Sequence, residues 1–177
     1  MNQQFGDFMY QRPDLSVLKD ELRHLTKRFA AASSAAVQGE LLHEINQQRN
    51  EFASMASLAH IRHTINTKDP YYAAEQDYFD EVEPLYNELN TEYYRTLVSS
   101  SFKKELSLRF GQQLFSIAEM TLQTFSPAVI AELQQENKLV SRYKQLLASA
   151  SIPFAGAERN LSQLVPYQQS VDRGTRQ

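Results

Sequence analysis

The sequence predicts an all-α fold of about five long, antiparallel-packed helices, with a short β-hairpin or an extended loop near the C-terminus. Three observations carry this expectation. Apolar residues recur at steps of three and four from Leu15 to Leu147, which places them on one stripe of each helix. Glycine is scarce, with 5 in 177 residues and none between Gly39 and Gly111, and a strand-rich chain needs more turn punctuation than that. Asp or Ser stands beside Pro at three of the breaks in the pattern, as at helix starts.

The first helix starts at Asp14, after Pro13, and carries Leu15, Leu18, Leu22, Leu25 and Phe29 on one stripe. Arg23, Lys27 and Arg28 fall in its last turns, where cations complement the helix dipole. The small, Ser-containing stretch from Ala30 to Ala36 holds the turn. A second helix runs from about Ala36 to Ile65 on Val37, Leu41, Ile45, Phe52, Met55 and Ala59, interrupted by the polar patch Gln47, Gln48, Arg49 and Asn50. Asp69-Pro70 opens a third, with Tyr78, Val82, Leu85, Leu89 and Tyr93 aligned. Pro84 lies inside it and predicts a kink or a restart, because proline removes a donor and crowds the preceding turn.

Ser99 to Ser101 supplies the next start. The fourth helix bears two stripes, Phe102, Leu106, Phe110, Leu114 and Ile117 on one side and Leu108, Phe115 and Leu122 on the other, so it is expected to be buried on both. Ser126-Pro127 opens a fifth, with Val129, Leu133, Val140, Tyr143 and Leu147, ending near Ser149. Helical periodicity then stops. Ile152-Pro153-Phe154, a turn through Gly156, and Leu161 to Val165 form the hairpin or loop. Ser170 reads as the cap of one more helix, with Gln177 only seven residues on, which suits a polypeptide that continues. Residues 1–177 read as a single helical domain or segment, without a fixed-period repeat or a linker.

Composition narrows the function. With 42% apolar and 22% charged residues the chain is globular rather than disordered. A net charge of −3 gives no electrostatic footprint for nucleic acid. The absence of cysteine removes thiolate nucleophiles, disulfides and Cys-based metal sites. No apolar run approaches the ~20 residues of a membrane span. Met1 to Asp7 lacks the basic and apolar regions of a signal peptide, so the expected compartment is the cytoplasm.

Few residues offer chemistry. Of His24, His43, His60 and His63, the last two share a helix face at i and i+3. Joined by Glu75 or Asp77 they would make a metal site. The plainer reading is the polar end of a long helix, since a catalytic zinc needs three placed ligands and the sequence locates two. His43-Glu44 begins an H-E-x-x-H pattern, but Gln47 stands where the second imidazole must be. Glu75, Asp77, Asp80, Glu81 and Glu83 form an acidic cluster that reads as a cation site or, more plainly, as helix-start charges and a solvated face. Tyr71, Tyr72, Tyr78, Phe79, Tyr86, Tyr93 and Tyr94 are read as core and core edge, or as lining for a peptide groove. No phosphate-binding glycine loop and no G-x-S-x-G nucleophile motif occurs. The expectation is a chain with no catalytic, cofactor-binding or metal-binding residue of its own.

The pattern over the whole chain says more. Tyr10-Gln11-Arg12-Pro13-Asp14 is one part. Ala59-His60-Ile61-Arg62-His63-Thr64-Ile65-Asn66-Thr67, running into Tyr71 to Glu81 and Pro84, is another. Tyr143 to Ala150, Ile152-Pro153-Phe154-Ala155-Gly156, Asn160-Leu161 and Asp172-Arg173 complete it. Together they resemble the N-terminal region of the oligoendopeptidase F branch of the thimet-type zinc metallopeptidases. The resemblance implies a largely helical parent enzyme that hydrolyses short peptides. Its zinc would sit in an H-E-x-x-H helix with a downstream glutamate, in the C-terminal half, and the motif's glutamate would act as general base. None of those ligands has a counterpart in this sequence. These helices would help to wall the substrate channel, and the chain would be inactive alone. Apolar surface left uncovered would favour a homodimer or a domain swap. The alternative is a self-contained, non-enzymatic helical interaction module.

Overall fold

The computed structural model describes residues 9–176. The signal-peptide reading of Met1 to Asp7 and the terminal Gln177 lie outside the described residues. Helix α1 spans Leu15–Ala31, α2 Ala35–Ile65, α3 Pro70–Val98, α4 Lys103–Phe110, α5 Gln112–Thr124 and α6 Ile130–Ser149. Strands β1 (Ile152–Phe154) and β2 (Ala157–Arg159) follow, then α7 (Leu161–Gln168) and α8 (Arg173–Arg176). The fold is therefore mainly α with one short antiparallel hairpin near the C-terminus, as the sequence predicts. The described chain forms two compact units, one up to Gln135 and one from Glu136.

In the first unit, the predicted caps set the helix starts. The Asp14 carboxylate accepts from the Ser16 and Val17 amides at 2.8 and 3.3 Å, and Asp69 accepts from those of Tyr71 and Tyr72 at 2.9 and 3.1 Å. Such side chains satisfy amides that have no partner within the helix. Helices α1 and α3 pack against each other as well as against α2. Arg23 meets Glu92 through a two-pronged pair at 2.6 and 3.0 Å, and Phe29 meets the Tyr93 ring edge to face.

The core is built from Leu18, Leu22, Leu25 and Phe29 of α1, Leu41, Leu42, Ile45 and Phe52 of α2, and the α3 stripe from Phe79 to Leu97. Phe52 stacks on Tyr86 at 4.0 Å and meets Phe79 edge-on at 5.6 Å. Pro84 causes neither a stop nor a restart. Helix α3 is continuous across it, and Pro84 is itself fully buried. Buried Gln38 ties three corners together. It donates to the Phe29 carbonyl at 2.9 Å and accepts from the Ser100 hydroxyl at 2.6 Å.

Two expectations need correction. The single fourth helix is two helices, broken at Gly111, whose φ of 90° and ψ of 150° belong to a region open to glycine alone. The break resets the helical phase, so the angles counted across it do not hold. Leu106 and Phe115 are buried, whereas Leu108 is 83% exposed, and burial on both sides is not realised. In the second unit, Leu161 to Val165 is not a strand. Asn160 and Gln163 form a reciprocal capping box that starts α7 there. The returning strand is Ala157–Arg159, paired Ile152 to Arg159 through Phe154 to Ala157. Ala155 and Gly156, both with positive φ, make the two-residue turn. The last helix starts later than Ser170 suggests, because Asp172 accepts from the Gly174 and Thr175 amides.

Candidate functional site

The sequence candidates lie around the α2–α3 hairpin, and the structure separates them. Glu75 is committed to the N-terminal strap. The Arg12 guanidinium donates to its two oxygens at 2.9 and 2.7 Å, and the Tyr10 hydroxyl also donates to it. Arg12 lies 4.8 Å from the centre of the Tyr78 ring, and the Tyr78 hydroxyl donates to the Pro13 carbonyl. The Arg12 bonds, aided by Tyr10, hold the Glu75 carboxyl below its ordinary range against the opposing effect of burial. The strap thus fastens residues 10–13 to the start of α3.

The remaining candidates do not converge. Asp77 and His60 are both exposed, and His60 faces the Gln76 amide oxygen at 3.3 Å. His63 is buried, at 3% exposure. Gln76 donates to Asp80 at 2.8 Å. Burial of its surroundings, then the neighbouring Asp80, pushes the Glu83 carboxyl upward, although its side chain keeps contact with solvent. Among the described residues no three His, Asp or Glu side chains are grouped as a metal ion requires. The His43-Glu44 pair points to packing: the His43 ring lies against Phe110 at 5.2 Å, Glu44 pairs with Arg28 at 3.3 Å, and Gln47 donates to Glu51.

One surface was not singled out by the sequence reading. The outer face of α2 forms a shallow, open groove lined by this helix alone, the Glu51 carboxylate among its side chains. Asn46, Asn50, Ser54 and Ser57 recur along it at steps of four, four and three, with Leu58 and Ile61 at one end. Neutral amides and hydroxyls on an otherwise open face can exchange hydrogen bonds with an extended peptide without demanding a particular charge. The signal lay in the polar patch that interrupts the apolar stripe. Behind it, Arg49 turns inward, donating to Asn46 at 3.0 Å and to the Tyr94 hydroxyl, and sits over the Tyr93 and Tyr94 rings.

Comparison with known proteins gives the setting. Residues 5–125 match the family model described as the peptidase M3 N-terminal domain. Three solved structures are similar over almost the entire chain. One, assigned as an oligoendopeptidase F and solved from crystals grown by microfluidic seeding, is 47% identical with a TM-score of 0.93. PZ peptidase A, solved with an inhibitor, is 48% identical with a TM-score of 0.93. A protein of Bacillus anthracis assigned as an oligoendopeptidase F is 44% identical with a TM-score of 0.92. They cover 98%, 98% and 97% of this chain, which spans 31% of each of theirs. A comparison with curated proteins gives no match. With the match covering most of the first unit and the likeness running through the second, the chain belongs to the peptidase M3 N-terminal domain family and is the N-terminal domain of an oligoendopeptidase F-like peptidase.

Proposed function

We propose that this chain is the non-catalytic, channel-lining portion of a zinc metalloendopeptidase that hydrolyses short peptides. The observation that carries this reading is its 44–48% identity, over nearly its whole length, to less than a third of each oligoendopeptidase F-type structure. In this reading the remaining length of the polypeptide supplies the zinc ligands and the general base, and no hydrolytic step falls to residues 9–176. Their task is binding and exclusion. The α2 groove, lined by Asn50, Ser54 and Ser57, is the surface that would meet a peptide backbone.

The test uses the polypeptide extended by the downstream part of an oligoendopeptidase F relative. Ser54→Trp and Asn50→Trp place bulk in the groove without touching any ligand to the metal. Each should lower kcat/KM for a fluorogenic peptide by roughly tenfold or more, about 1.4 kcal/mol of transition-state binding, with zinc content unchanged. Unchanged kinetics in both variants would exclude this face from the channel.

A further inference from the structure

Helix α6 is amphipathic the wrong way round for a helix whose partners all lie within this chain. Its only buried side chain is Ser141. Leu139, Val140, Tyr143, Leu146 and Leu147 are between 39% and 68% exposed. At about 100° per residue these five fall within roughly 120° of arc, one continuous apolar face. Exposed apolar faces of this kind mark interaction surfaces. Arg142 borders the face on one side and Lys144 on the other, each about 40° beyond it.

The second unit is also electrostatically distinct. Residues 136–177 contain six Lys and Arg against three Asp and Glu, a net charge of +3 in a chain whose total is −3. Family-model similarity stops at residue 125, whereas similarity to the much longer solved peptidases continues through the second unit. Residues 136–177 thus lie outside the family-model match but within the part shared with the long chains.

From these observations we infer that the α6 face docks the downstream portion of an oligoendopeptidase F-type polypeptide, through an apolar surface rimmed by acidic side chains opposite Arg142 and Lys144. This rests on the reading of the chain as part of a longer peptidase and adds the place where the two parts meet.

The chain has no cysteine, so a single Tyr143→Cys substitution gives a clean probe. In the 177-residue chain the introduced thiol should react with a maleimide at the rate of an exposed cysteine, independently of protein concentration. In the extended polypeptide, with the labelled peptide read by mass spectrometry, the rate should fall by roughly 100-fold, because only locally opened molecules react. Adding Arg142→Glu and Lys144→Glu should restore most of the reactivity, while circular dichroism confirms that the helices remain. Equal rates in the short and extended chains would overturn the inference, as would protection in the short chain that grows with concentration, the mark of a second copy. Peptide cleavage by the same extended sample reports separately on the peptidase reading. Active enzyme in which the introduced thiol stays unprotected rejects the docking face alone, whereas protection without cleavage retains the docking face and rejects the function.

Discussion

Replacing Glu75 by glutamine keeps the size and hydrogen-bonding reach of the side chain but removes the charge that holds Arg12. Glu75 is 7% exposed at its side chain and Arg12 is 46% exposed. The contact is two-pronged and shared with the Tyr10 hydroxyl. Hydrogen bonds to a charged group contribute about 1.5–3 kcal/mol when buried, and exposed ion pairs about 0–1. With one partner buried and the other half in solvent, a loss of about 1–2 kcal/mol is expected at neutral pH, or roughly 2–8 °C in Tm for a chain of this size. Thermal and urea unfolding of Glu75→Gln, Arg12→Gln and the double variant would isolate the coupling.

The pH dependence carries the sign. The folded-state carboxyl titrates below its ordinary value of 4.5, so its contribution is fully present above about 4.5 and is lost as the pH falls through the depressed folded-state value. Wild type should therefore lose stability more steeply than Glu75→Gln as the solution is acidified, and the two should converge. A coupling near zero, or a gap that persists undiminished in acid, would refute the strap as an electrostatic clasp.

Two further substitutions test the fold. Gly111→Ala adds a methyl group with nothing within 4 Å of it, so any cost is backbone conformation alone, about 1–3 kcal/mol; a neutral change in urea midpoint would contradict the glycine-only break between α4 and α5. Gln38→Leu leaves the Phe29 carbonyl and the Ser100 hydroxyl without their buried partner, which should cost about 1–3 kcal/mol; a stabilised variant would mean that apolar packing outweighs that junction.

The parts of the fold legible in the sequence are those fixed by local chemistry. Asp14 and Asp69-Pro70 located helix starts, and Ser126-Pro127 the 3₁₀ turn Pro127–Val129 that leads into α6, because caps and N1 prolines act on the first turn that follows them. Gly111 was in plain view, but a glycine within an apolar periodicity reads as tolerated until its φ is known. At Pro84 the sequence left a kink and a restart open, and the continuous α3 removes the restart. The site was less legible for a physical reason. Whether Glu75 joins His60 and His63 or turns to Arg12 depends on how a strap more than 60 residues away in sequence crosses α3, and spacing along a helix carries no such information. The α2 groove was hidden because neutral polar residues look like interruptions of a core stripe until the side they face is seen.

The central claim is that these residues bind and enclose but do not catalyse. Metal content and peptide cleavage, measured side by side on the 177-residue chain and on the extended polypeptide, test it most directly. The short chain should hold no stoichiometric zinc and show no turnover, and the extended one should hold zinc and cleave peptide in a chelator-sensitive way. One tightly held zinc on the short chain, or turnover by it, would contradict the claim and return His60 and His63 to the active site.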